Sequence, residues 1–317
     1  MIPIGAIVGP TAVGKSKLGV EVAGLLNGEI VSIDSMQIYK GMDIGTAKIK
    51  MEECYSSKGK YIPHHMIDIV SPEKFYSVAD FKKEAEEVIK DINIRGKLPI
   101  LIGGTGLYYN AIVKGYNFPV QSFDKNIRER LKRYASKYGS KHLFEKLKKA
   151  DPEAAKKIHP NDLKRVIRAL EYNEITGSKI SSIKNKPNDR YKLASVGLYM
   201  NREMLYDIIN NRVDRMFDEG FVSEVKSLVN KGCPYTANAM GGLGYKQVIK
   251  YLKGDYTLED AIKIMKRETR RYAKRQLTWF RRDDNIMWYD PTSYSDIINA
   301  AASVAAYINQ RLQTNNI

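Results

Sequence analysis

The feature that most constrains the fold of this chain is a glycine-containing turn near its N-terminus. Residues 2–8, IPIGAIV, predict a buried strand, and residues 17–26 have the pattern of a helix. Between them, GPTAVGKS fits the spacing G-x-x-x-x-G-K-[ST]. Glycines at this spacing let backbone N–H groups converge on an anion, and the following helix adds its positive N-terminal end. Strand, turn and helix together predict a phosphate-binding loop in an α/β fold.

This loop predicts a diphosphate or triphosphate site but does not say what is attached to the phosphates. Lys15 would place a positive charge on the phosphate oxygens, and the Ser16 hydroxyl is a predicted Mg²⁺ ligand. The predicted diphosphate-binding residues are Gly9, Pro10, Thr11, Ala12, Val13, Gly14, Lys15 and Ser16.

Strands and helices alternate in the segments that follow. EIVSID at 29–34 and LPILIGG at 98–104 predict two more buried strands. Residues 77–95 predict a helix with a serine N-cap and a glycine stop, and 105–113 predict a second helix. This alternation indicates a P-loop NTPase-like parallel sheet with helices on both faces.

The pattern changes after residue 115. Residues 124–177 look entirely helical, and the next strand signal comes only at 191–200. We therefore predict an all-helical domain at 116–190, inserted into an α/β domain formed by 1–115 and 191–317.

The inserted region carries most of the excess positive charge. The whole chain has a formal net charge of +16, and residues 116–200 hold 20 lysines and arginines against nine acidic residues, a net charge of +11. Such runs are usually solvated helix faces. Their concentration in one module favours a surface for a polyanion such as nucleic acid.

Other features of the chain point to the cytoplasm. Cys54 and Cys233 are far apart and lack a metal-binding spacing, as is typical of a reducing compartment. No apolar run approaches the roughly 18 residues of a membrane span, and no signal-peptide pattern precedes the first strand. We expect a cytoplasmic, monomeric protein without a membrane partner.

The C-terminal third is predicted to be helical apart from a short strand at 285–290. Two helices are separated at Gly220, a long basic helix follows, and a terminal helix is expected at 293–312. The long helix contains RRYAKRQLTWFRR, which alternates cations with aromatic residues. It is either an amphipathic helix with Trp279 and Phe280 in the core, or a surface that contacts RNA.

Polar residues follow the second and third predicted strands. Asp34 ends the second strand, at the edge where ligands bind in α/β sheets. It is a candidate general base, a residue near Mg²⁺, or the N-cap of a short helix. Thr105 offers a hydroxyl at a helix start, as a site residue or as a cap. Adjacent His64 and His65 point opposite ways in a strand, which favours a structural role over joint metal binding.

Seven segments together identify a family. GPTAVGKS, DSMQIYKGMDIGTAK, PHHMIDI, GGTGLYY, HPNDLKRVIRALE, GLGYKQ and TRRYAKRQLTWFRR occur in this order. Along nearly its whole length the chain resembles the bacterial tRNA dimethylallyltransferases. One position departs from the pattern, since relatives often carry Gln where this chain has Gly241.

The resemblance implies transfer of a dimethylallyl group from its diphosphate to N6 of the adenosine 3′ to the anticodon. It further implies that Asp34 accepts the amine proton, while Lys15, Thr105, Arg212 and Mg²⁺ on Ser16 hold the diphosphate. The inserted helices would bind the anticodon stem-loop. The tRNA-binding residues that the resemblance implies are Asp34, Ser35, Met36, Gln37, Lys164, Arg165, Val166, Ile167, Arg168, Gly241, Gly242, Leu243, Gly244, Tyr245 and Lys246.

Two other functions are compatible with parts of the chain. A P-loop kinase for a small molecule explains the first 115 residues but leaves the basic insertion without a role, unless it is an arginine-rich lid. A non-catalytic RNA-binding NTPase switch predicts nucleotide hydrolysis and RNA affinity without RNA modification.

Overall fold

A computed structural model of the chain describes residues 1–118, 124–183 and 189–313. The chain divides into two compact units. One consists of Met1–Val113 with Asn188–Ile317, and the other of Lys114–Pro187. We call them the α/β unit and the helical unit.

In the described part of the chain, the α/β unit is built on one parallel sheet of six strands. The spatial order is β3-β2-β4-β1-β5-β6, and every pairing is parallel. This confirms the predicted fold class. The strands are β1 (Ile2–Val8), β2 (Gly28–Ser32), β3 (His64–His65), β4 (Leu98–Gly103), β5 (Tyr191–Leu198) and β6 (Ile286–Tyr289).

Eight helices of the described residues flank this sheet. Ser77 caps α2 through a hydrogen bond from the Asp80 N–H, as its sequence predicts, and Gly220 separates α8 from α9. The terminal helix α12 (Ile297–Gln313) starts later than predicted, because Asp296 caps it by accepting the Asn299 N–H at 2.8 Å. The helices are α1 (Lys15–Leu25), α2 (Val78–Ile94), α3 (Gly106–Val113), α8 (Arg202–Asp218), α9 (Phe221–Asn230), α10 (Tyr245–Leu252), α11 (Leu258–Phe280) and α12 (Ile297–Gln313).

The sheet has a hydrophobic core on each face, because successive side chains of a strand point to opposite sides. In β1, Ile4 and Val8 join the core that includes residues of α2, α3 and α9, while Ile7 joins the core that includes residues of α1 and α12. A sheet covered on both faces leaves the carboxyl ends of its strands as the edge where polar groups converge.

Within the described residues, the helical unit contains four α-helices, in the region 124–177 that the sequence predicts to be entirely helical. The chain breaks at Gly139, whose φ of 90° ends a helix, and at Asp151, which caps the next helix through the Ala154 N–H. Asp151 is fully buried and also accepts bonds from the backbone and hydroxyl of Ser181. The helices are α4 (Lys125–Tyr138), α5 (Ser140–Ala150), α6 (Pro152–Lys157) and α7 (Leu163–Thr176).

No helix among residues 1–118, 124–183 and 189–313 is long and apolar enough to span a membrane.

Candidate active site

The predicted phosphate-binding loop has the backbone that its glycines require. Gly9 has φ of 143°, and a Cβ there would lie 2.6 Å from the Leu198 carbonyl oxygen. Gly14 is left-handed, with φ of 92°, and α1 begins directly after it. Any larger residue at either position would strain the turn. The loop therefore delivers Lys15 and the exposed Ser16 at the N-terminus of α1.

Lys15 is held in an environment that disfavours its charge. Its Nζ donates a 2.7 Å hydrogen bond to the Pro10 carbonyl oxygen. Three effects together lower the pKa of Lys15 from 10.5 to about 7: burial, the largest, lowers it, the Asp34 carboxylate raises it, and the nearby Arg212 charge lowers it. A bound polyanion would favour the protonated form.

Arg212, on α8, is the second cation of the site. Its Nη2 donates to the Thr11 hydroxyl. Burial lowers its pKa to about 10, again against the effect of Asp34. Among the residues that the structure describes, Arg212 Nε is the one buried side-chain nitrogen or oxygen that has no hydrogen-bond partner. A buried donor without an acceptor costs free energy, so this guanidinium is suited to an anionic ligand.

The Thr11 N–H differs from the predicted phosphate cradle, because it is already hydrogen-bonded within the protein. Residues 9–16 are predicted from the sequence to bind diphosphate, with the N–H groups of the loop converging on the anion. The Thr11 N–H instead donates a 2.8 Å bond to Oε1 of Gln276, on α11. The cradle for an anion is thus left to the N–H groups further along the loop.

Asp34 and Thr105 meet at the carboxyl ends of two paired strands. Strands β2 and β4 pair with Ser32 beside Ile102, so their following loops are neighbours. The Ser35 N–H donates a 3.1 Å bond to Thr105 Oγ1. Asp34, which precedes Ser35, influences the pKa of both Lys15 and Arg212. The four predicted catalytic residues thus belong to one polar cluster.

The two carboxylate oxygens of Asp34 have different environments. Oδ1 accepts the Met36 N–H at 2.8 Å and the Gln37 N–H at 3.4 Å. This is the capping geometry considered for Asp34 in the sequence analysis. No hydrogen bond joins Oδ2 to any residue in the described part of the chain. One oxygen therefore orients the carboxylate, and the other is left to accept a proton.

The loop after Asp34 is anchored by a residue that the sequence analysis missed. Glu224 on α9 accepts the N–H groups of Asp43, Ile44 and Gly45 at 2.9, 2.6 and 3.2 Å. It also accepts the Tyr245 hydroxyl at 2.6 Å. A single carboxylate thus binds three consecutive N–H groups across about 180 residues of sequence, which no local pattern indicates.

The GLGYKQ region reaches the same loop. A Cβ at Gly242 would lie 2.3 Å from Met36 Cε, so a larger residue there would displace the Met36 side chain. Gly244 is buried with φ of 91°, whereas Leu243 is half-buried and Lys246 is exposed. A Cβ at Gly241 would meet nothing within 4 Å, so a Gln there would fit.

The buried Tyr245 departs from its predicted role. Its side chain is fully buried and its hydroxyl is bound to Glu224, which leaves it unavailable for RNA contact.

In the helical unit, the predicted RNA-binding segment of α7 is split between surface and core. Lys164 and Arg165 are exposed. Val166 and Ile167 are buried in the unit's hydrophobic core, so their side chains are not available to RNA. Arg168 lies 3.6 Å from Glu171, which is fully buried. The prediction of direct contact is thereby narrowed to the cationic side chains.

Helix α11 contributes more to the α/β unit than its basic sequence suggested. Phe280 is 1% exposed, and the Trp279 ring occupies the space beside Gly106. Tyr272 and Gln276 lie on the side that contacts the site, and Asp34 together with burial raises the pKa of Tyr272 to about 12. These inward residues follow the amphipathic interpretation, while Arg275 and Arg281 remain exposed on the outer side.

The two adjacent histidines are structural in this fold. His64 Nδ1 lies 2.8 Å from the Ile62 carbonyl oxygen, and His65 Nε2 lies 2.8 Å from Glu29. Arg95 also bonds Glu29 and lowers its pKa to about 2. This triad stabilises β2 and β3 and offers no imidazole for catalysis.

The residues present fit a metal that arrives with its substrate. Within the described residues, no group of three or more His, Cys, Asp or Glu side chains is arranged to hold a metal ion. Mg²⁺ commonly keeps water and substrate phosphate oxygens as most of its ligands. The exposed Ser16 hydroxyl at the start of α1 is compatible with such a shared site.

Comparisons with known proteins agree on one family. A family model described as IPP transferase matches residues 37–283. The tRNA dimethylallyltransferase of Thermoanaerobacter sp. (strain X514) is 49% identical over 316 residues, covering 98% of this chain and 99% of that protein. The enzyme of the same name from Carboxydothermus hydrogenoformans is 53% identical over 289 residues, covering 90% of each.

Solved structures give the same result. The full-length tRNA isopentenylpyrophosphate transferase of Bacillus halodurans has a TM-score of 0.72 and 46% identity, with 98% of each chain covered. A eukaryotic dimethylallyltransferase described as acting on tRNA has a TM-score of 0.76 and 30% identity, covering 96% of this chain and 78% of that one. The chain belongs to the IPP transferase family, the family of these tRNA dimethylallyltransferases.

Proposed function

We propose that this protein transfers a dimethylallyl group from dimethylallyl diphosphate to N6 of the adenosine that follows the anticodon of tRNA. The observation that carries the proposal is the polar cluster at the phosphate loop. It joins two half-buried cations, one with a buried and unpartnered Nε, to a carboxylate with one oxygen free of protein hydrogen bonds. The full-length similarity to proteins named for this reaction supports it.

The donor diphosphate binds at the loop of residues 9–16. When the C–O bond stretches, negative charge grows on the departing diphosphate and positive charge on the allylic carbon. Lys15 and Arg212 stabilise the first of these charges, and the N-terminal end of α1 adds its dipole. Thr105 offers a hydroxyl to the same diphosphate. The phosphate loop thus holds a leaving group, and no phosphoryl group is transferred.

The metal of this reaction is proposed to be Mg²⁺. Ser16 Oγ would be its protein ligand, with diphosphate oxygens and water as the others, and the ion would supply further charge stabilisation on the leaving group.

Asp34 is the proposed general base. Its Oδ1 is fixed by the Met36 and Gln37 N–H groups, so Oδ2 faces one direction reproducibly. The N6 amine attacks the allylic carbon, the C–N bond forms as the C–O bond breaks, and the amine proton passes to Oδ2. The amine is a poor nucleophile because its lone pair is delocalised into the ring, so its orientation contributes as much as the basicity of Asp34.

The adenosine has to leave its base stack to reach this cluster. Met36 and Gln37, with the glycines around Gly242, are the proposed walls of the adenosine pocket. Lys164 and Arg165 of the helical unit are proposed to bind phosphates of the anticodon stem-loop. Cationic side chains on helices contact RNA mainly at the phosphates of the RNA backbone. We propose that the protein acts in the cytoplasm, where a tRNA substrate is available.

One incubation tests the function against its rivals. The protein is mixed with unmodified tRNA and either isotopically labelled dimethylallyl diphosphate or labelled ATP, and the tRNA nucleosides are then analysed by mass spectrometry. We expect adenosine carrying five added carbons with the prenyl donor only. Phosphoryl transfer or nucleotide hydrolysis from ATP, without prenylated adenosine, would support the kinase or the NTPase switch instead.

A further inference from the structure

One buried side chain connects the phosphate loop to the neighbouring strand. Gln276 of α11 is 5% exposed. Its Oε1 accepts the Thr11 N–H at 2.8 Å, and its Nε2 donates to the Gly104 carbonyl oxygen at 2.9 Å. Both atoms of the amide are therefore used, one on the phosphate loop and one directly after β4.

The backbone on both sides is shaped to receive this amide. A Cβ at Gly104 would lie 2.0 Å from Gln276 Nε2, so any other residue would displace it. Gly104 is followed by Thr105, whose hydroxyl accepts the Ser35 N–H. A shift of the Gly104 peptide would thus also move Thr105 and its contact with the segment after Asp34.

The contact on the phosphate loop continues to Arg212. The Thr11 N–H is bound by Gln276, and the Thr11 hydroxyl accepts from Arg212 Nη2. Thr11 is therefore bound from two helices, α11 through its backbone and α8 through its side chain. The orientation of the guanidinium depends on where Thr11 is held.

We infer that Gln276 is a positioning residue of the reaction, which fixes the phosphate loop relative to Thr105 through the Thr11 N–H and the Gly104 carbonyl. This rests on the proposed function. Only a primary amide, or a protonated carboxyl group, offers one acceptor and one donor at this spacing. Tyr272 lies one turn earlier on the same face of α11, beside Thr105 and Gln276.

Three variants separate positioning from general stability. Gln276→Met keeps the length of the side chain and removes both hydrogen bonds. Gln276→Glu keeps the acceptor, but its ionised form presents an oxygen to the Gly104 carbonyl. The matched control is Thr269→Val, because Thr269 is also buried on α11 but bonds only the Met265 carbonyl of its own helix, at 2.7 Å. Each full-length protein is assayed for the donor KM, the single-turnover rate with tRNA, and tRNA affinity.

We expect Gln276→Met to raise the donor KM or lower the single-turnover rate at least about tenfold, while tRNA affinity stays within about twofold. The Thr269→Val control should retain both donor parameters. The rate of Gln276→Glu relative to wild type should rise at least about fivefold as pH falls from 8 to 5.5, because the protonated carboxyl group restores a donor to Gly104. This pH-dependent rescue has no counterpart in a purely structural role.

The inference is overturned if Gln276→Met matches the control in both donor parameters. It is equally overturned if the deficit of Gln276→Glu is the same at every pH, and this arm decides the question if Gln276→Met does not fold. Absence of prenyl transfer by the wild-type protein would instead contradict the proposed function, so the two failures are distinguishable.

Discussion

Replacing Asp34 with Asn separates its two roles within a single side chain. Oδ1 accepts two backbone N–H groups, from Met36 and Gln37. An Asn side chain has one acceptor oxygen, and these donors require that it replace Oδ1. Its NH₂ group must then take the place of Oδ2. The variant thus keeps the cap and loses the base, with almost no change in shape.

The expected magnitudes follow from this geometry. Asn and Asp are about equally good caps, so Asp34→Asn should keep the capping free energy and lose only the attraction between the Asp34 charge and the cations Lys15 and Arg212. Loss of a general base typically costs about 10²- to 10⁴-fold in rate, or roughly 3 to 5 kcal/mol of barrier. The comparison variant Asp34→Ala loses the cap as well, and should be about 1 kcal/mol less stable than Asp34→Asn.

The assay is single-turnover prenyl transfer at saturating donor, together with denaturant unfolding. Saturation matters because the Asp34 charge raises the pKa of Lys15. Removing that charge lowers the pKa of Lys15 below its value of about 7. Donor affinity of Asp34→Asn should therefore weaken at neutral pH and recover on acidification, independently of the chemical step. Working at saturation removes this effect from the measured rate.

Two results would refute the assignment. A near-normal single-turnover rate for Asp34→Asn would reduce Asp34 to a cap. A loss of stability as large as that of Asp34→Ala would show that the amide does not adopt the capping orientation. The expected pattern is the same slow chemistry in both variants, with Asp34→Ala about 1 kcal/mol less stable than Asp34→Asn.

The remaining predictions concern the two cations, the RNA and the pH. Lys15→Ala should raise the donor KM at least about tenfold and leave tRNA binding unchanged in a filter assay; equal loss of both would contradict separate donor and RNA sites. Arg212→Ala should slow chemistry, and a donor with a better leaving group should partly rescue it but not Asp34→Asn. In tRNA titrations, log affinity should fall against log salt with a slope of roughly 0.7 to 0.9 per phosphate neutralised, and a variant without residues 120–190 should lose this dependence together with its affinity. Because the folded-state pKa of Lys15 is lowered from 10.5 to about 7, the unfolded chain binds more protons between these values; the free energy of unfolding should therefore rise with pH across this window, and a Lys15→Met variant should lack that rise.

The parts of the fold that the sequence predicted are those set by neighbouring residues. The phosphate loop needs a strand, two glycines and a helix in immediate succession, so GPTAVGKS defined it fully. Ser77 and Gly220 each precede the first residue of a helix, for reasons of local backbone conformation and capping. The helices that begin after them lie where predicted. The change of pattern and charge likewise predicted a helical insertion at 116–190, and the structure has a compact unit at Lys114–Pro187.

Contacts between distant segments were not predictable in this way. Gln276 and Thr11 are 265 residues apart, and Glu224 is about 180 residues from the loop that it binds. Neither contact is indicated by the residues around it in the sequence. A buried Gln on an amphipathic helix, for example, looks like any polar residue between the apolar and polar faces of that helix. The burial of Val166 and Ile167 was, by contrast, predictable. They share a helix face with Leu163 and Leu170, at the spacing that points toward a core.

The electrostatics of the site explain how a phosphate loop can serve a prenyl donor. Desolvation works against the charges of Lys15 and Arg212, and the Asp34 carboxylate offsets part of that cost. A diphosphate placed among them would supply the acceptor that Arg212 Nε lacks and would raise both pKa values. Above pH 7, donor binding would then be coupled to proton uptake by Lys15. During the reaction the charge on the diphosphate increases further, so the same cations interact more strongly with the leaving group than with the bound donor, which is the condition for lowering the barrier.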